Sequence, residues 1–162
     1  MRGDILVSLL LCYSNIRRRD VMKMPLTISN SMFAPCGMNC LVCYKHCFVK
    51  KPCPGCSKND NRKPEHCRKC KIKDCTKSKG ITYCYECAEF PCKLIRNLEK
   101  SYNKRYQESL IKNSDIVKQV GLTEFMILEK EKWTCAYCGG VISLHDHVCG
   151  ECEKSMETPS GK

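Results

Sequence analysis

Between Cys36 and Cys92 the chain carries 12 cysteines in 57 residues, beside only seven Leu, Ile, Val or Phe side chains: Leu41, Val42, Phe48, Val49, Ile72, Ile81 and Phe90. Burying seven such groups cannot offset the conformational entropy of ordering so long a segment. This half of the sequence therefore folds only with cross-links. The whole chain has 17 cysteines in 162 residues, the composition of a disulfide or metal scaffold. Redox compartment decides between the two. An apolar run at residues 5–13, ILVSLLLCY, resembles the hydrophobic part of a signal peptide, but Arg17, Arg18 and Arg19 stand where a cleavage site needs small residues. The run is also too short to span a bilayer. Residues 1–32 are read as a leader, disordered or upstream of a later start at Met22, Met24 or Met32, and the chain as cytoplasmic. In a reducing cytosol, Cys-x2-Cys pairs are metal ligands before they are disulfides.

Composition divides the remainder. Residues 33–92 form a cysteine-rich metal-binding domain and residues 93–132 a cysteine-free helical segment. A zinc ribbon follows at 133–153, then a polar, disordered tail at 154–162. In the helical segment Leu94, Leu98, Tyr102, Tyr106 and Leu110 recur every four residues, with Lys and Arg interleaved, which predicts an amphipathic helix whose stripe is core. Asn113-Ser114-Asp115 offers a cap for a further turn closed by Gly121, and Thr123 a cap for a helix to about Lys132. The expected fold is thus a small, mostly irregular, metal-stabilised domain, a helical segment and a C-terminal ribbon.

The strongest ligand pattern is Cys135-x2-Cys138-x10-Cys149-x2-Cys152. Each pair can form a knuckle aimed at one ion, and the residues between can form a hairpin through Val141, Ile142 and Leu144, with Trp133 packed against it. Gly139-Gly140 suits the turn after the first knuckle. Four protein thiolates close the site, so no position is left for catalysis. His145 and His147 are read as surface-loop residues. The same spacing recurs at Cys53, Cys56, Cys67 and Cys70, in a polar stretch without a strand signal. Cys36, Cys40, Cys43 and Cys47 form a local group, as do Cys75, Cys84, Cys87 and Cys92. By sequence order the 16 cysteines from Cys36 onward divide into four sets of four, hence up to four Zn2+ ions. Small metal domains also interleave their ligand pairs, so this order leaves the partition open.

The formal charge of +11 points at first to nucleic acid. Yet a zinc ion with four thiolates contributes −2 relative to four neutral thiols, so four such sites would leave only about +3. Lys69, Lys71 and Lys73, which crowd Cys70 and Cys75, are candidate phosphate or partner contacts, with charge compensation of the thiolates as the plainer role.

CGMNCLVC at 36–43, then CPGC, CKIKDC and GITYCYECAEFPC resemble a prokaryotic cysteine-rich family known as domain of unknown function 3795, and GLTEFMILEKEKWTCAYCGGVISLHDHVC resembles the ribbon extension of its longer members. The resemblance implies metal-binding cysteines, with zinc as the expected metal, and assigns no reaction.

Three function classes follow. The leading one is a non-catalytic zinc-binding module for an unknown protein or nucleic-acid partner: the chain has four histidines, no Gly-rich phosphate loop and no HExxH motif. The second is an iron–sulfur protein, an electron carrier or redox sensor, with one 4Fe–4S cluster on Cys36, Cys40, Cys43 and Cys47. The third, a radical enzyme of the kind that uses C-x3-C-x2-C, needs a barrel of strands and helices for which this chain is too short and too poor in strands. No Cys-x2-Cys pair stands at a strand-to-helix junction, as a thiol-redox enzyme requires. Neither a membrane nor a small-molecule substrate is expected.

Overall fold

The computed structural model describes residues 22–156. The apolar run at 5–13 and Cys12 lie outside them. Six α-helices are described: α1 (Tyr44–Cys47), α2 (Glu65–Arg68), α3 (Lys71–Ser78), α4 (Lys93–Tyr106), α5 (Leu110–Val120) and α6 (Leu122–Trp133), with single 3-10 turns at Asn30–Met32, Cys40–Val42 and Cys84–Glu86. The chain is largely helical, and none of these helices is long and apolar enough to cross a membrane.

The four-residue stripe of the helical segment does not run along one helix. Gln107 takes a left-handed conformation, φ 56°, and ends α4. Ser109 then caps α5 by accepting from the Lys112 amide. The Glu99 carboxylate accepts from the Leu110 and Ile111 amides, so an acid on α4 neutralises the positive end of α5. Asn113 and Ser114 are not caps. They are buried inside α5, where Asn113 Nδ2 donates to the Gly37 carbonyl at 3.1 Å. Gly121, at φ 86°, turns the chain directly into α6, two residues before the helix expected from a cap at Thr123.

The segments distinguished by composition share one core. Phe33, Val42, Leu110, Phe125, Trp133 and Val141 are all essentially inaccessible and belong to a single apolar cluster. Phe33 meets Phe125 and Tyr83 edge-on, each with ring centroids 5.4 Å apart. Ile72, Cys84 and Ile95 make a smaller second cluster. A buried polar contact joins the CGMNC stretch to α6: Glu129 Oε2 accepts from Asn39 Nδ2 at 3.2 Å and from Trp133 Nε1 at 3.0 Å. Burial holds the Glu129 carboxyl above the usual carboxylate range.

The structure differs from the compositional segmentation at both ends. Residues 22–32, grouped with the leader for lack of any signal, are part of the fold. The Val141 amide donates to the Met22 carbonyl, the Met24 amide to the Gly139 carbonyl, and Ile28 and Met32 are buried. At the other end the Cys149 amide donates to the Lys154 carbonyl and Met156 pairs with His147. Isolated antiparallel bridges Lys23–Gly140, Thr134–Val141, Ile142–Cys149 and Val148–Ser155 thus assemble a small sheet-like layer from three parts of the chain.

Candidate metal centre

The C-terminal cysteines are brought together as their spacing predicts. Cys135 follows the end of α6, and its turn is closed by the Gly139 amide on the Cys135 carbonyl and the Cys135 amide on the Gly140 carbonyl, both 2.8 Å. Cys149 and Cys152 sit on the return of the hairpin. Cys135 Sγ lies 3.6 Å from Cys152 Sγ, and Cys138 Sγ 3.5 Å from Cys149 Sγ. All four sulfurs lie within 4.8 Å of one another, and among the described residues this is the one group of three or more donors so arranged. Four sulfurs about 2.3 Å from a tetrahedral ion stand about 3.8 Å apart, so the donor set fits a single metal ion. Gly140 makes that approach possible: a Cβ there would lie 2.8 Å from Cys149 Sγ and 3.2 Å from Cys138 Sγ. Burial resists ionisation of Cys135, but amides of Cys138 and Tyr137 point at its sulfur, and the thiol is lowered to about 7. Cys138 is pushed up to about 12 by burial.

Val141, Ile142 and Leu144 are buried, as a strand facing the core requires, and Trp133 is inaccessible beneath them. The histidines are not loop ornaments. His147 Nε2 donates to the Tyr106 carbonyl at 3.1 Å, and its ring meets Trp133 edge-on. His145 lies between Tyr44 and Tyr106, with centroids 5.1 and 4.7 Å away. Burial depresses its pKa, consistent with Nδ1 accepting from the Tyr44 amide. Neither histidine joins the cysteine group.

The 12 N-terminal cysteines are distributed differently. Cys75, Cys84, Cys87 and Cys92 line a small cavity of ≈ 30 Å³ between α3 and the start of α4. Lys79 Nζ lies 3.3 Å from Cys87 Sγ and 2.7 Å from Glu89. Cys36, Cys40, Cys43 and Cys47 do not close on one another as a compact group. Cys47 Sγ donates to the Cys43 carbonyl at 3.3 Å, and Cys47 is buried against the ribbon, where Gly150 passes over its carbonyl. The CPGC pair instead docks on this stretch: the Cys53 amide donates to the Lys45 carbonyl at 2.9 Å, and the Cys56 amide to Cys40 Sγ at 3.5 Å. Cys67 follows in α2, and Cys70 precedes α3. Burial pushes Cys43 up to about 11, and Cys47, Cys67 and Cys84 up to about 12, with neighbouring thiols adding to it. Cys56 goes the other way, to about 7. Its hydrogen bond with Cys40 is the largest cause, followed by the nearby ammonium groups of Lys63 and Lys73.

The lysines crowding these groups have local work. Lys69 pairs with Glu65 at 2.6 Å, and Lys73 reaches Asp60 at 3.0 Å, while Lys71 is exposed at the start of α3. Lys63, which no sequence pattern singled out, is the most buried cation described, 5 % exposed. Its ammonium donates to the carbonyls of Cys56 and Lys58 and to Asp60, fixing the loop between the second and third cysteine pairs.

Fold and site together define a small, largely helical, cysteine-rich protein with a four-cysteine group able to hold a metal ion. Residues 32–97 match the family described as Protein of unknown function (DUF3795), so the resemblance read from the sequence holds over that stretch. The ribbon lies beyond the match. No curated protein and no solved structure matches the chain.

Proposed function

We propose that this is a non-catalytic zinc-binding protein whose ions hold together a fold with too little apolar core, and which presents that fold to a protein or nucleic-acid partner. The observation that carries the zinc reading is the ribbon: four sulfurs within 4.8 Å, spaced for one tetrahedral ion. A four-iron cluster distributes its thiolates over separate iron atoms and spreads them wider. On this reading the 12 cysteines at 36–92 are ligands as well, supplying the cross-links which that segment's composition demands. The interaction role rests on the absence of a catalytic motif from the sequence, with exposed Leu26 and Tyr137 as apolar side chains open to a partner.

Metal analysis and an absorbance spectrum of untagged, anaerobically purified protein test the metal. Colourless protein carrying several zinc ions is the expected result. A broad visible absorbance with iron and sulfide would replace zinc by a cluster at the N-terminal cysteines. For the partner, low-salt gel shifts with nucleic acid and cross-linking in extract are the test, and absence of any complex in both would refute the interaction role.

A further inference from the structure

The order of cysteines along the chain groups Cys36, Cys40, Cys43 and Cys47 apart from Cys53, Cys56, Cys67 and Cys70. Packing does not follow that order. The CPGC knuckle lies antiparallel to residues 40–46. At one end the Cys53 amide donates to the Lys45 carbonyl at 2.9 Å, and His46 Nδ1 donates to the Cys53 carbonyl at 2.6 Å. At the other end the Cys56 amide points at Cys40 Sγ, 3.5 Å away. Gly55, at φ 95°, turns the chain between them, and its Cβ position lies in contact range of Cys40 Cβ, 3.6 Å away. The two ends of the knuckle therefore lie against different parts of residues 40–46.

Two further observations bear on this arrangement. Buried Lys63 grips the Cys56 carbonyl at 3.0 Å, which holds the knuckle and the loop after it in one shape as they meet Cys40. Cys47, the fourth member of the first sequence group, is turned the other way: its thiol is engaged by the Cys43 carbonyl and its backbone lies under the ribbon. An amide donating to a sulfur is the outer contact that typically orients and stabilises a thiolate ligand.

We propose that Cys40 and Cys56 bind the same metal ion, so that the C-x3-C-x2-C group and the CPGC pair build a shared centre instead of two separate ones. This rests on the reading that the N-terminal thiols bind metal. The ion is one that prefers thiolate ligands.

Proton–cadmium correlation spectra of the full chain, produced in medium containing a spin-half cadmium isotope, test this directly. The β-protons of Cys40 and Cys56 are expected to correlate with one cadmium resonance, and Cys56→Ser to shift that resonance while leaving the ribbon resonance of Cys135, Cys138, Cys149 and Cys152 in place. Correlation of Cys40 and Cys56 with different resonances would overturn the shared centre while leaving N-terminal metal binding intact. A spectrum showing only the ribbon resonance would overturn metal binding at the N-terminal thiols, and the shared centre with it.

Discussion

Gly37 stands in the first cysteine motif with φ at 96°, and a Cβ there would lie 2.5 Å from the Leu110 carbonyl oxygen and 2.7 Å from Ser114 Oγ. Both are fixed atoms of α5, and the Gly37 carbonyl accepts from Asn113 on the same helix. Gly37→Ala therefore carries two costs. A side chain at this φ costs about 1–3 kcal/mol. Displacing α5 to relieve the overlap costs about 1–3 kcal/mol more. Gly121 separates the two, because its φ is 86° but nothing lies within 4 Å of its Cβ position. Gly121→Ala should lose only the conformational share, about 1–3 kcal/mol. Urea unfolding followed by fluorescence of Trp133, the chain's one tryptophan and fully buried, reads both variants against the parent protein, with metal in constant excess. The expected excess for Gly37→Ala is about 1–3 kcal/mol, or roughly 2–12 °C in Tm at about 2–4 °C per kcal/mol. Equal destabilisation of the two variants would refute the claim that the first motif is seated directly on α5.

Three further outcomes are expected. Cys149→Ser should weaken cobalt binding at the ribbon by more than about a hundredfold, since loss of outer contacts alone costs about 10–100-fold, and titration of the thiolate-to-cobalt absorbance measures it. Glu129 has a raised carboxyl pKa, so the folded state holds its proton more tightly than the unfolded state. Stability should accordingly fall as pH rises from the free carboxyl value toward the folded one, and Glu129→Gln should flatten that part of the profile while keeping an acceptor for Asn39 and Trp133. An unchanged slope in denaturant midpoints would refute this. Lys63→Met leaves the Cys56 and Lys58 carbonyls without their buried donor, a loss of about 1–3 kcal/mol. New proteolytic cleavage between residues 57 and 63 should accompany it, and an uncut loop would show that the ammonium is dispensable.

The ribbon was legible because its closure is local: two knuckles, a short hairpin and a glycine pair are all written within 18 residues. The apolar helical stripe was legible as core from Leu98 to Leu110 but not at Leu94, which is 38 % exposed while Ile95 beside it is buried, and not as two helices. A break at Gln107 and a cap at Ser109 keep Tyr106 and Leu110 on the same side, so the period survives the interruption. The N-terminal cysteines could be recognised as a set but not sorted, because which sulfur faces which depends on the docking of CPGC on residues 40–46, and no local pattern encodes that. Residues 22–32 were missed for a related reason. Their contribution is backbone pairing with Gly139 and Val141, and paired backbone leaves no trace in side-chain composition. Lys63 looked like one more surface cation among many, since burial of an ammonium is decided by the carbonyls around it.

The Leu144 amide donates to the carbonyl of Val42, which belongs to the first motif, and Gly150 passes over the carbonyl of Cys47. These partners are about a hundred residues apart. At a synthesis rate of roughly 5–20 residues per second, the ribbon leaves the ribosome roughly 5–20 s after the motif it covers. Once Cys92 has emerged, the nascent chain carries the dozen thiols of residues 36–92 while their shared core is still incomplete. The N-terminal thiols are thus least shielded during translation, before the ribbon that covers them exists.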